Sequence, residues 1–238
     1  MDGIINVNKP KGITSYDVIR FIKKEFNFKW KIGHAGTLDP SAEGVLIILI
    51  GKATKLSSHL MKLEKEYIGR MKLGIKTDTD DIDGKIIEEK EVNVEVKDII
   101  KVIKSFEGEY LQTPPVVSAI KHQGKPLYKL YRKGIIVKPE PKLVSIKKIE
   151  IEEIRIPYIK IKVICSKGTY IRALCRDIGE KLGCLATQTE LKRTRIGPFS
   201  IEKSLSLSEL KEKGLDNSII TIKEFLQIFE KENERKKS

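Results

Sequence analysis

The sequence predicts an α+β fold, on three observations. Short apolar runs of strand length alternate with stretches of helical periodicity and show no clear repeat. Residues 142–164 are Ile-rich and alternate in places, as antiparallel strands do. No window of about 18 consecutive apolar residues interrupts the pattern, so no membrane-spanning helix is expected. In chain order, Ile4 to Val7 reads as a short strand, and Thr14 and Ser15 offer caps to a helix with Val18, Ile19, Ile22 and Phe26 on one face. Val45 to Ile50 reads as a buried strand, and Tyr67 to Ile75 and Ile86 to Val96 as strands around an acidic turn. Ile99, Ile100, Ile103 and Phe106 mark a helical face. Pro157 breaks the 142–164 stretch into two or three strands. Tyr170 to Leu182 reads as a helix closed by Gly183, and Ile222, Phe225, Leu226 and Phe229 as a terminal helix that dissolves into Lys231 to Ser238.

Composition narrows the function class. The chain has 238 residues, 40% of them hydrophobic, and 46 Lys plus Arg against 33 Asp plus Glu, a net charge of +13. That excess attracts polyanions by releasing their condensed counterions, although Lys-rich surfaces also occur for other reasons. Basic residues near Gly turns sharpen the expectation of nucleic acid: Lys9 and Lys11, Lys121 and Lys125, and Lys192, Arg193 and Arg195. Cys165, Cys175 and Cys184 are spaced for neither a zinc knuckle nor a redox pair and are expected to be reduced, buried thiols. The start MDGIINVNKPKG has no apolar leader core, which makes the cytoplasm the expected compartment. Asp78 to Gly84 has the look of a calcium loop, but with Gly84 at the sixth position Lys90 falls where the bidentate Glu should be. An acidic hairpin turn is the better account.

The most informative stretch is Gly33-His34-Ala35-Gly36-Thr37-Leu38-Asp39-Pro40-Ser41-Ala42-Glu43-Gly44. Its Gly and Pro content argues for a tightly turned backbone that approaches another molecule closely. Pro40 restrains Asp39 toward extended geometry, so the single acid before Glu43 sits on a stiff support. An Asp-Pro pair is also ordinary turn chemistry.

The run GHAGTLDPSAEGVL, continuing to GKATK, closely resembles the catalytic signature of the tRNA pseudouridine-55 synthases, the TruB family. Other blocks resemble the family in the same order: Gly3 to Val18, Lys65-Glu66-Tyr67 with the turn to Gly84, Gln112 to Lys121 with Gly134, Cys165 to Arg172, and Thr189 to Arg193. The resemblance implies a pseudouridine synthase catalytic fold, with a mixed, largely antiparallel sheet and flanking helices. It implies one catalytic domain over 1–238, an RNA-closing insertion at 109–141, and a short C-terminal extension at 204–238 where many members carry a PUA domain. Asp39 takes the catalytic role. Substrate-binding roles fall on His34, against the RNA where the extruded base had been; Tyr67, stacked on the uracil; Arg172, paired with the carboxylate; and Leu191, closing the apolar side of the pocket.

The implied reaction isomerises uridine at position 55 in the T-arm loop of tRNA. The C1′–N1 bond breaks and a C1′–C5 bond forms, so no redox cofactor, nucleotide or metal is expected. Whether Asp39 attacks the base, attacks C1′ or removes a ribose proton stays open. A stand-alone monomer is expected, with tRNA as its partner. Two alternatives share the scaffold: an RNA-binding or tRNA-folding protein, and a guide-RNA-dependent synthase subunit. Three departures stand out. Glu43 replaces a usually neutral residue close to Asp39, Tyr131 replaces a usual Ala, and the chain ends soon after the last block.

Overall fold

The computed structural model describes residues 1–235, with side chains described through Lys231. The chain begins with β1 (Gly3–Lys9), α1 (Ser15–Glu25), β2 (Ile32–Ala35), β3 (Glu43–Ile50) and α2 (Ser57–Lys62), then enters β4 (Lys65–Leu73). Next come β5 (Ile75–Thr77), β6 (Ile86–Glu89), α3 (Val96–Lys104), β7 (Gly108–Gln112), β8 (Lys121–His122), β9 (Lys125–Pro126) and α4 (Leu127–Tyr131). The hairpin β10 (Lys142–Arg155) and β11 (Tyr158–Cys165) leads to α5 (Ile171–Leu182) and β12 (Ala186–Ile196). β13 (Phe199–Ser200), α6 (Leu207–Lys213) and α7 (Ile222–Arg235) complete it. Two compact units result: residues 1–67 with the stretch from 192 on, and residues 68–191.

In the first unit β3 is the central strand. It pairs antiparallel with β1, from Gly3 opposite Ile50 to Lys9 opposite Gly44, and with β2, from Ile32 opposite Ile50 to Ala35 opposite Ile47. The end of β12 joins β3 in parallel, Lys192 opposite Glu43 and Arg193 opposite Gly44. The unbroken apolar run of β3 follows from burial on both faces. Leu46, Ile48 and Ile50 pack with Val18, Ile19 and Ile22 of α1, whereas Val45, Ile47 and Leu49 face Phe199 and Phe225. Helix α1 starts at a capping box in which Thr14 and Asp17 satisfy each other's backbone N–H groups. Ser15, the other expected cap, is buried and serves elsewhere.

The second unit orders its strands β12-β4-β11-β10-β7, with β10 antiparallel to both β11 and β7. Pro157 lies in the two-residue turn between β10 and β11, so the stretch 142–164 resolves into two strands. Alternate residues of β11, from Ile159 to Cys165, are buried. Ile99 and Ile103 of α3 are buried as expected, while Ile100 is exposed and Phe106 packs just beyond the helix. The expected strand Ile86 to Val96 ends at Glu89, because residues 90–95 find no strand partner and Val96 opens α3. Gly183 caps α5 in the left-handed conformation, φ 78°.

The expected α+β class, with a mixed and largely antiparallel sheet, is what the chain adopts. The segment 109–141 contains short elements of its own, the β8–β9 hairpin and α4. At the C-terminus, α7 continues to Arg235 where the pattern predicted dissolution from Lys231; residues 236–238 lie outside the described residues. All three cysteines are buried and unbridged. Among the described residues no helix is long and apolar enough to cross a membrane.

Candidate active site

In the first unit, the loop bearing Asp39 is fastened from below by side chains remote in sequence. Leu38 is buried, and the Ser15 hydroxyl both accepts from its N–H at 2.8 Å and donates to its C=O at 3.0 Å. The Asp39 carbonyl accepts from the Ala42 N–H at 3.1 Å, closing a tight turn, and the Pro40 carbonyl accepts from Gly12 N–H at 2.8 Å. Asp39 itself is half-buried. The stiff support expected from Pro40 alone is therefore shared among Ser15, Gly12 and the turn.

Two buried cations complete the scaffold. Arg193, 1% exposed, donates from Nε to the Val45 carbonyl at 2.8 Å, from Nη2 to Gly36 at 2.9 Å and from Nη1 to Thr37 at 3.4 Å. Gly44 allows this approach: its φ is 109°, and a Cβ there would lie 2.2 Å from the Arg193 carbonyl oxygen. Lys9, fully buried, donates to the carbonyls of Pro10 at 2.9 Å and Ile13 at 2.7 Å. Burial pulls its ammonium down to about 8; the Asp39 carboxylate opposes that fall and the Arg193 charge adds to it.

Lys9 and Arg193 were expected among the RNA-facing charges, and the structure corrects this. Both are spent on backbone carbonyls inside the fold. Lys192 pairs with Glu43 at 3.3 Å, and Arg195 with Glu64 at 3.2 Å and Glu66 at 3.8 Å. Lys11, Lys121 and Lys125 are exposed. The contact to Lys192 also gives the unusual Glu43 a partner.

His34 lies on β2, opposite Ile48. Its imidazole is held below its ordinary pKa by burial first and by the Arg193 charge second, which favours the neutral ring. Its Nδ1 is buried without a hydrogen-bond partner among the described residues. Arg193 thus touches the Gly36–Thr37 backbone and acts electrostatically on both His34 and Lys9, while Lys9 senses Asp39. Tyr67 is buried on β4, as the last residue of this unit before the chain enters the second.

In the second unit, Arg172 is 5% exposed and stands in the first turn of α5. Its Nη1 donates to the Thr79 carbonyl at 2.8 Å and its Nη2 to Val117 at 3.0 Å. One helical turn later, Arg176 repeats the pattern: Nη1 to Asp80 at 2.8 Å, Nη2 to the Thr113 carbonyl at 2.7 Å, and Nε to Asp177 at 3.0 Å. Residues i and i+4 of one helix thereby tie the acidic turn to the start of the 109–141 segment. Burial raises both the Asp80 and Asp177 carboxyls, and the Arg176 charge opposes the rise. Leu191 is half-buried, its Cδ1 and the Ile171 Cγ2 lying 3.7 and 3.2 Å from where a Cβ on Gly69 would stand.

Two more fasteners hold the segment. Gln112 accepts from the Tyr170 N–H at 2.8 Å and donates to its carbonyl at 3.1 Å. The hydroxyl of Tyr131, the residue standing for a usual Ala, donates to Asp78 at 2.5 Å, and Asp78 also accepts from the Lys85 N–H at 2.9 Å. The acidic turn thus uses Asp78 and Asp80 for internal bonds, and among the described residues no cluster of three or more His, Cys, Asp or Glu could hold a metal ion. The supporting roles of Ser15 and Gln112, and Arg176 altogether, escaped the sequence reading. Only Arg176 carried a local signal, its i+4 spacing from Arg172.

Comparison with known proteins gives concordant results. Residues 23–171 match the model of the TruB family pseudouridylate synthase N-terminal domain, and residues 172–234 that of the tRNA pseudouridylate synthase B C-terminal domain. A Clostridium tetani protein named tRNA pseudouridine synthase B is 47% identical over 232 residues, covering 97% of this chain and 80% of the relative. A Thermosipho melanesiensis protein of the same name is 44% identical, covering 96% and 75%. Among solved structures, one chain of a Cbf5-Nop10-Gar1 complex superposes with a TM-score of 0.70 at 33% identity, over 97% of this chain. This chain spans only 59% of that longer one.

Proposed function

The chain belongs to the TruB family of pseudouridylate synthases, and on that premise we propose that it isomerises uridine 55 in the T-arm loop of tRNA, with Asp39 acting at the sugar and base. It is an enzyme of the tRNA pseudouridine synthase class. The observation that carries the finer reading is the Asp39 loop, whose sequence resembles the family signature and whose backbone is fixed by Ser15 and Arg193. A carboxylate on a fixed backbone loses little entropy in reaching its reactive geometry.

The reaction balances internally. The C1′–N1 glycosidic bond breaks, the uracil turns, C1′ bonds to C5, and the proton on C5 leaves while N1 gains one. Asp39 acts as nucleophile or base in this sequence. Arg172 supplies a guanidinium that favours the ionised carboxylate, Tyr67 a ring for the uracil, and Leu191 an apolar wall. Neutral His34 suits a place against the RNA, since a neutral imidazole has one ring nitrogen that donates and one that accepts. No cofactor is assigned. The span 1–238 is read as one catalytic domain, with 109–141 closing on the RNA.

Incubating the purified protein with unmodified tRNA, then measuring nucleosides by mass spectrometry and mapping by carbodiimide primer extension, tests both activity and position. We expect pseudouridine at position 55 alone. Asp39→Asn should abolish turnover by several orders of magnitude while RNA affinity changes by less than about tenfold. Substantial turnover by this variant would sink the assignment, and absence of activity in the natural chain would favour the RNA-folding reading. Activity without an added guide RNA would exclude the reading as a guide-RNA-dependent subunit.

A further inference from the structure

Trp30 is the chain's single tryptophan, and it is 57% exposed. Tryptophan joins a large apolar face to a polar N–H and is enriched at binding surfaces. The ring leans on buried Phe28, centroids 5.2 Å apart at 47°. The backbone is pinned on both sides of it: the Phe28 N–H donates to the Lys23 carbonyl at 3.0 Å, and the Lys31 carbonyl accepts from Gly51 N–H at 2.8 Å. Trp30 is thus presented on a held turn.

Its surroundings are cationic. Lys29 and Lys31 flank it and are exposed, as are Lys23 and Lys24 in the last turn of α1. Glu25, the acid of that turn, is engaged by Lys211 at 2.9 Å. Two residues after Trp30 begins β2, the strand that carries His34. Four residues of extended chain span about 13 Å, so Trp30 and the strand of His34 present neighbouring stretches of surface.

We propose that Trp30 is a stacking platform for an unpaired base of the RNA substrate, with Lys29 and Lys31 holding the phosphates beside it. The inference rests on the reading that this chain acts on RNA, and it adds a contact outside the residues assigned above. An aromatic face between cations is the combination that binds single-stranded nucleic acid, because every base offers a π-face and every nucleotide a charge. A protein partner would be expected to meet further exposed apolar residues beside the ring rather than the two lysines that flank it.

One tryptophan makes the test direct. Titrating the full chain with a synthetic T-arm hairpin should quench its intrinsic fluorescence to saturation. Trp30→Ala should weaken hairpin binding about tenfold, and Trp30→Phe less. The dependence of affinity on salt should be unchanged in Trp30→Ala and shallower in Lys29→Ala/Lys31→Ala, since stacking releases no counterions. Binding seen by electrophoretic shift without any fluorescence change, or natural affinity in Trp30→Ala, would overturn the platform and leave the proposed function standing. Concentration-dependent self-association abolished by Trp30→Ala would reassign the surface to a second copy. A hairpin that binds by no measure would overturn both readings.

Discussion

The loop that carries Asp39 and the segment 109–141 are both irregular stretches rich in Gly and Pro, yet they are built on opposite plans. The first is held by buried groups: a serine hydroxyl that satisfies both backbone atoms of Leu38, and an arginine that satisfies three carbonyls. The second starts in β7, laddered to β10, but beyond Gln112 it is tied at a few points by side chains of α5 and the acidic turn, while Lys121, Lys125, Lys129 and Lys133 stay in water. Stability is not uniform across a fold, and elements that must move are drawn from its weaker end. The contrast fits the proposal that the first region aims a carboxylate and the second closes on RNA.

The sharpest way to break that comparison is Arg193→Met. It leaves the carbonyls of Gly36, Thr37 and Val45 without their donor in a buried place, so a loss of about 3 kcal/mol or more is expected, along with activity. Chemical denaturation and turnover on tRNA measure it; a stable, active variant would show that the loop needs no such support.

Arg176→Leu should cost less, about 2 kcal/mol, because its acids can take up protons instead. The sign follows from the raised carboxyls. With folded pKa values above those of the unfolded chain, the folded state binds more protons, so stability falls as pH rises from the ordinary carboxylate range through the folded values. Without the guanidinium those values climb further. The variant's deficit should therefore be small at acid pH and grow toward neutrality; a deficit independent of pH would mean the cation matters only for packing.

Lys9 gives the opposite slope. Its folded pKa of about 8 lies below the ordinary 10.5, so between these values the unfolded chain holds more protons and stability rises with pH. The neutral amine still has two N–H groups for the Pro10 and Ile13 carbonyls. Comparing the natural chain with Lys9→Met from pH 7 to 10.5 should show a relative gain for the natural chain, and parallel curves would refute it.

The smallest effect is expected at Tyr131→Phe. Loss of the bond to Asp78 should change global stability by less than about 1 kcal/mol. Trypsin cleavage between Lys121 and Lys133 should still speed up about fivefold, because the segment opens locally. Unchanged cleavage would mean that α4 and Gln112 already hold it.

These differences explain what could be read in advance. Val45 to Ile50 announced a buried strand because six apolar residues in a row fit burial on both faces, and Gly183 announced the end of α5 because its conformation suits glycine. The loop of Asp39 stood out too, through the family-like run around it. Its supports were not: Ser15 looks like any cap candidate beside Thr14, and Lys9 and Arg193 carry the same charge as the solvated lysines near them. Only the paired chain shows that their donors meet carbonyls. Strand periodicity likewise overran Glu89, since a pattern of alternation says nothing about whether a partner strand is there.

The parallel join between β3 and β12 sets an order in time. Arg193 follows Gly36 by 157 residues. At ribosomal rates of 5–20 residues per second, roughly 8 to 30 seconds separate the synthesis of the loop from that of its clasp. Throughout that interval the carbonyls of Gly36, Thr37 and Val45 lack the donor that Arg193 later supplies. Any product released before Arg193 is made would hold every residue of the signature run and still lack the donor that fixes its backbone, so the loop's final form waits for a residue far from the motif.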